Sequence, residues 1–189
     1  MPLLSQETDL YPEHLLSQTE IEETTERVWW VLHTRPRQEK SLVRQLHRAQ
    51  IPYYLPLIPH RWRLRGRMMT SHLPLFPSYV FLFGDREERV AALSTNRIVR
   101  SLEVPDQTVL WQDLRQIYRL IAAGMPITPE SQLTPGAMVE IKSGPLAGLR
   151  GKILRSASGQ RFVVQIDFIQ RGASVVLDDF TLAKVDDPG

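Results

Sequence analysis

From residue 136 onward no run of this sequence is long enough for a helix. "AMVEI", "GKILR", "RFVVQID", "SVVLD" and "TLAKV" follow one another, each set off by turn-forming residues. In "RFVVQID", Phe162, Val164 and Ile166 fall on one face and Val163 and Gln165 on the other, the two-residue period of a strand. "SVVLDDF" is β-branched, where a helix would lose side-chain freedom. Gly144, Pro145, Gly148, Gly151, Gly159 and Gly172 would interrupt any helix. Each glycine costs about 1 kcal/mol there and an interior proline about 3 kcal/mol. The pattern predicts a small all-β barrel as the resting form of residues 136–189.

The texture before it is different. "MPITPESQLTPG" (125–136) holds three prolines and reads as a linker, taken as 125–135. Upstream, "RVWWVLHT" (27–34) reads as a buried strand, and "RQEKSLVRQLHRAQ" (37–50) as a helix with Leu42, Val43, Leu46 and Ala49 on one face. "IPYYLPL" is extended. "PHRWRLRGRMMTSHL" predicts a hairpin turning near Arg65–Gly66. "FPSYVFLFG" (76–84) is a strand, "REERVAALSTN" a short helix, "RIVRSLEV" (97–104) a strand, and "WQDLRQIYRLIAAG" (111–124) a helix with a glycine cap. The chain thus reads as α+β, with a mixed domain at 27–124 and an all-β domain at 136–189.

Charge is distributed unevenly around a net of +2. Residues 1–26 carry seven acids and no Lys or Arg, and read as a disordered acidic tail. Residues 27–72 carry ten Lys or Arg and one acid, Glu39. On the helix, Arg37, Lys40, Arg44 and Arg48 gather opposite the apolar face. Four cations on one face repel one another, and a polyanion relieves that repulsion and gains from counterion release. A solvated surface is the plainer reading of the same stripe.

Several classes are excluded or disfavoured. With no cysteine there is no disulfide, thiolate metal site or Cys nucleophile. No apolar run reaches the roughly 18 residues of a membrane span, and the first residues lack the pattern of a signal peptide. "KSGPLAGLRGKI" (142–153) is glycine-rich, but a phosphate loop needs G-x-x-x-x-G-K-[ST]. Here Leu146 stands where the first glycine should be and Ile153 where the hydroxyl should be. The glycines are therefore read as turn residues between strands. His33, His47, His60 and His72 are separated by 11 to 13 residues, with no metal-ligand spacing. Asp178–Asp179 reads as a polar turn. No catalytic residue, metal site or cofactor is expected, and the chain does not read as an enzyme.

"PGAMVEIKSGPLAGLRGKI" resembles the KOW motif of SH3-like barrels. "WWVLHTRPRQEK" followed by "YYLPL" and "PLFPSYVFLF" resembles the N-terminal (NGN) domain of the NusG family of transcription elongation factors. The resemblance runs from about Trp29 to Val185 and is strongest to the specialised RfaH/UpxY-like antiterminators. It implies an NGN α/β sandwich followed by a KOW SH3-like β-barrel. It also implies a cytoplasmic, monomeric protein that binds RNA polymerase and nearby DNA. On that basis Phe76, Tyr79 and Phe81, with Tyr54, form an apolar depression for the β′ clamp helices. Arg35 and Arg97 face the non-template strand beside Arg37, Lys40, Arg44 and Arg48. Arg61, Arg63, Arg65 and Arg67 with Trp62 form a basic hairpin near upstream DNA. In "DFIQRGAS", Phe168, Ile169 and Arg171 correspond to a loop that binds a small-subunit ribosomal protein or Rho, although an ordinary hairpin loop explains the same residues. Two departures stand out. The general family form has glycine where this chain has Ser78, and the gate-loop patch of RfaH, expected near Val90–Leu93, is not reproduced. The rival readings are a housekeeping NusG and a KOW-containing RNA- or ribosome-binding protein.

Overall fold

Aromatic and branched residues at 28–34 and 79–84 favour extended backbone, and both segments are strands at the centre of a sheet. The computed structural model describes residues 7–17, 26–131, 136–156, 159–177 and 182–184 of the chain. Asp178–Asp179 and residues 1–6 and 18–25 of the expected tail lie outside them. The chain divides into two compact units, residues 1–108 and 109–189.

In the first unit the elements run β1 (Leu10–Tyr11), β2 (Val28–Thr34), α1 (Glu39–Arg48), β3 (Tyr53–Tyr54), β4 (Leu57–Leu64), β5 (Arg67–Pro74), β6 (Tyr79–Gly84), α2 (Arg86–Leu93) and β7 (Ile98–Glu103). Five strands form one antiparallel sheet in the order β1-β3-β6-β2-β7. Register places Trp30 opposite Leu82 and Leu32 opposite Val80. These four side chains, with Tyr53, pack in one core with Leu42, Val43 and Leu46 of α1 and Ala92 of α2. Of the apolar face predicted for α1, Leu42, Val43 and Leu46 are buried, whereas Ala49 is exposed at the C-cap, because the helix ends at Arg48. Asp85 caps α2 in a capping box with Glu88. Glu88 also pairs with Arg27 at 2.6 Å, and Arg89 lies over the Trp30 ring at 4.5 Å. The side-chain amide of Gln107 accepts from Trp29 N at 2.6 Å and donates to Trp29 O at 3.0 Å. It thereby satisfies backbone groups near the start of β2 as a neighbouring strand would.

Two sequence expectations change here. The helix begins at Glu39 rather than Arg37, because Arg37 adopts φ +63, which an α-helix cannot contain. The acidic segment is not wholly a disordered tail. Over residues 10–11 it adds strand β1 to the sheet edge at β3. Leu55 N donates to Asp9 O at 2.7 Å and Tyr53 Oη to Thr8 O at 2.9 Å. Leu10, Leu15 and Leu16 are buried. Burial of three leucines supplies what the polar composition of the segment concealed.

The second unit contains most of α3 (Gln107–Ala122), then β8 (Thr128–Glu130), β9 (Met138–Ile141), β10 (Arg150–Ser156), β11 (Gly159–Ile166), β12 (Arg171–Val176) and β13 (Leu182–Lys184). The strands form a six-stranded antiparallel sheet in the order β13-β9-β10-β11-β12-β8. Residues 160–177 are strand with a single 3-10 turn at Asp167–Ile169, as the two-residue period predicted. A closed barrel was expected; among the described residues no ladder joins β8 to β13. Part of the expected linker, Thr128–Glu130, pairs with Gly172–Ser174 as an edge strand. Helix α3 is tied to this sheet through three polar side chains. Arg119 donates to Ala147 O at 2.6 Å, Gln116 accepts from Arg150 N at 2.6 Å, and Asp113 accepts from Asp167 N at 3.2 Å.

The glycine-rich stretch is a turn between β9 and β10. Gly144 and Gly148 have φ +84 and +83, and Gly148 N donates to Ile141 O at 2.7 Å. Gly151 serves a different need. A Cβ there would lie 2.3 Å from Val163 O and 2.9 Å from the Phe162 ring. Gly151→Ala is expected to destabilise the C-terminal sheet by about 1–3 kcal/mol through overpacking. Denaturant unfolding followed at this sheet checks it, and an unchanged midpoint would refute the close-approach role.

Candidate functional site

The basic residues divide by environment. A bulge between His33 and Thr34 ends the regular β2–β7 ladder. Just beyond it Arg35 N donates to Arg97 O at 2.8 Å, so these two arginines, distant in sequence, are neighbours. Arg35 and Arg37 are exposed and Lys40 is half-buried on the first turn of α1. Arg97 is half-buried and its guanidinium donates to Gln38, which fixes it beside the helix start. Arg100, exposed on β7 and paired with His33, lies on the sheet face of His33 and Tyr79. Arg44 differs from the rest: its Nε donates to Glu7 at 2.8 Å and its guanidinium forms an ion pair with the same carboxylate. Arg48 is exposed at the C-terminal end of α1, where its charge also suits the helix dipole.

The hairpin β4–β5 forms a sheet of its own, joined by the predicted turn with Arg65 at φ +48 and Gly66 at φ +79. Positive φ at both positions is the type I′ signature. Pairing of Arg61 with Thr70 and Arg63 with Met68 puts these two arginines on one face. Trp62 pairs with Met69 and Leu64 with Arg67 on the other. The four arginines therefore do not share a face, because Arg65 occupies the turn and Arg67 lies across the strand pair. Trp62 stacks on His60 with ring centroids 5.8 Å apart. Leu64 and Met68 are more than half exposed, so the tip is both basic and apolar.

In the aromatic stretch, Phe76 and Phe81 meet edge to face at 6.5 Å. Both are buried, as is Tyr54, which pairs with Phe81 across β3 and β6. Tyr79 is half-buried and its ring lies 5.4 Å from that of His33. Of the four residues singled out, three are core and Tyr79 alone presents partial surface. The segment Phe76–Pro77–Ser78–Tyr79 is a tight turn: Tyr79 N donates to Phe76 O at 3.1 Å and Ser78 has φ +68. Proline in second place and a left-handed third residue are the plan of a type II turn.

A family model described as "Transcription termination factor nusG" matches residues 27–126, more than half of the chain. The chain belongs to the NusG family. Among solved structures, Thermotoga maritima NusG, in a study of its domain interaction, is 20% identical. The match covers 85% of this chain and 98% of that one at a TM-score of 0.48. An MjSpt4:Spt5 complex is 14% identical, covering 83% of this chain and 97% of that one at a TM-score of 0.27. No curated protein matches.

The NusG family model spans the strands and helices that carry Arg35, Lys40, Arg97, Tyr79 and the hairpin. It begins after the N-terminal segment that supplies Glu7. NusG-family proteins are transcription factors rather than enzymes. Among the described residues, no group of three or more His, Asp or Glu is placed to hold a metal ion, and no helix is long and apolar enough to cross a membrane. In the C-terminal sheet, Ile169 is buried in the 3-10 turn while Phe168 and Arg171 are half-buried, so the expected partner loop offers two accessible side chains rather than three. In the sequence Glu39 stood out only as the one acid of a basic region, with no role attached. It is 5% exposed and accepts a 2.7 Å hydrogen bond from Ser78 N. Nothing local marks an acid at the start of an amphipathic helix as buried.

Proposed function

We propose that this chain is a transcription elongation factor of the antiterminating kind, which binds the clamp helices of RNA polymerase β′ and the nearby non-template DNA strand. The observation that carries the proposal is the NusG family match over 27–126, with its aromatic strand and basic surface on one framework. In this reading residues 27–124 are an NGN domain, 125–135 a connection and 136–189 a KOW domain. Tyr79, with Phe76, Phe81 and Tyr54 beneath it, is the docking anchor; large aromatics supply contact area at small entropic cost. Arg35, Arg37, Lys40, Arg97 and Arg100 contact DNA phosphates, and Arg61, Arg63 and Arg65 on the hairpin contact the upstream duplex. Binding to the clamp shifts the polymerase toward its closed, processive state, with no covalent step.

The test is Tyr79→Ser, assayed for binding to purified core RNA polymerase alongside denaturant unfolding. Removal of a hot-spot aromatic is expected to weaken binding by about 30-fold or more with the fold retained. Unchanged affinity in the folded variant would overturn the docking assignment. A second reading, coupling to a ribosomal protein or Rho, is favoured by half-exposed Phe168 on the 3-10 turn and Arg171 at the start of β12. Loss of such coupling on Phe168→Ser, with polymerase binding intact, supports it.

A further inference from the structure

Ser78 occupies a backbone position that glycine fills more easily. At φ +68 its Cβ is crowded against its own backbone. A serine persists in such a conformation only when its surroundings over-determine it. Both of its main-chain polar groups are held. Its carbonyl accepts from Thr34 N at 2.9 Å, at the end of β2. Its N–H donates to Glu39 Oε1 at 2.7 Å, at the start of α1. Glu39 is the one acid among residues 27–72, and it is 5% exposed. The next residue in the chain is Tyr79, which opens β6 opposite His33.

We propose that Glu39 is a positioning residue for the docking strand: its carboxylate holds Ser78 in the left-handed turn and so sets where Tyr79 stands. The proposal rests on the reading of Tyr79 as the polymerase anchor. It adds a link that reading lacks, because one buried carboxylate joins the first turn of the helix bearing Lys40 to the turn that launches the aromatic strand. It also explains how this chain carries serine at the left-handed place of a type II turn. The bland account of Glu39 is an acid in the first turn of a helix, favoured by the helix dipole. That account requires no interaction with Ser78, and under it Glu39→Gln and Glu39→Ala behave alike.

The experiment compares wild type, Glu39→Gln, Glu39→Ala, Ser78→Gly and the Glu39→Ala/Ser78→Gly double variant in the full chain. Each is measured for the Ser78 and Tyr79 amide proton shifts by NMR, for unfolding midpoint, and for affinity to core RNA polymerase. Glu39→Ala is expected to move both amide shifts and to weaken polymerase binding on the order of tenfold, the effect expected of one charge-assisted hydrogen bond. Glu39→Gln, which keeps an acceptor, is expected to fall between. The double variant is expected to recover the binding that Glu39→Ala forfeits, because glycine adopts the turn without the carboxylate. If Glu39→Ala does not fold, the double variant against Ser78→Gly carries the comparison, and near-equal affinities support the proposal. Unmoved Ser78 and Tyr79 shifts, or a double variant no better than Glu39→Ala, would overturn it. Failure of the docking reading is a separate result: Tyr79→Ser then leaves polymerase affinity unchanged, while the amide shifts and unfolding midpoints still judge the Glu39–Ser78 link.

Discussion

Reversing two charges, Arg35→Glu with Arg37→Glu, is expected to weaken single-stranded DNA binding by at least tenfold at low salt. The log–log salt dependence should flatten by roughly 0.7 for each phosphate that is no longer neutralised. Both side chains are exposed, and among the described residues neither has an acidic partner. Arg44 provides the contrast within the same protein. It is ion-paired with Glu7, so a phosphate must first displace a carboxylate there. Arg44→Ala is therefore expected to change the slope much less than either Arg35→Ala or Arg37→Ala. Fluorescence anisotropy with a labelled oligonucleotide across a salt series checks both statements. Equal slopes for all variants would return the whole stripe to a solvated surface. A slope for Arg44→Ala as altered as for Arg35→Ala would mean that the Glu7 pair gives way to DNA.

The second large effect concerns the acidic N-terminal segment. A chain beginning at residue 18 is expected to be less stable than the full protein by about 3–6 kcal/mol. The figure follows from burying three leucines at about 1.5–3 kcal/mol each, reduced for a compact unfolded state. Leu10, Leu15 and Leu16 are 4%, 7% and 2% exposed. The strand pairing of Leu10 with Tyr54 and Tyr11 with Tyr53 disappears with them. Since small domains have only about 5–15 kcal/mol in hand, the truncated form is expected to unfold at markedly lower denaturant. Leu16→Ala alone is expected to cost about 2–5 kcal/mol. Matching midpoints for truncated and full-length protein would show that the segment is an appendage after all. A pH effect follows from the same segment. Burial raises the Asp9 carboxyl above its ordinary value, against the pull of backbone hydrogen bonds and His72. A carboxyl raised on folding opposes folding while it is charged. Its penalty is present above the folded pKa and is relieved as pH falls from neutral through it. Asp9→Asn is accordingly expected to stabilise the protein at pH 7 and to lose that advantage at mildly acidic pH, read from unfolding midpoints at the two pH values.

Patterns that repeat within one element were legible in the sequence. The strand β6 was legible in "FPSYVFLFG", while the packing of its Val80 and Leu82 against the helices came from the fold. The buried side of α1 followed from Leu42, Val43 and Leu46, and the hairpin turn from Arg65–Gly66. The β character of residues 160–177 followed from the alternation in "RFVVQID" and the β-branched run at "SVVL". The basic character of the candidate site was legible as well, since charge density needs no fold to be counted. What those charges face was not. The Arg44–Glu7 pair spans 37 residues, the Arg27–Glu88 pair 61, and the Ser78–Glu39 bond 39. A local period carries no information about such partners, because each is selected by where the chain returns after folding. The same reason hid β1 and β8. Each is a strand of two or three residues, too short to show a period, and exists because an exposed sheet edge offers unpaired backbone groups for it to satisfy. Burial of Phe81 and Tyr54 and the half-exposure of Tyr79 are likewise properties of the assembled sheet. The aromatic and branched composition of "FPSYVFLFG" identified the strand, and only the tertiary structure decided which of its aromatics reach the surface.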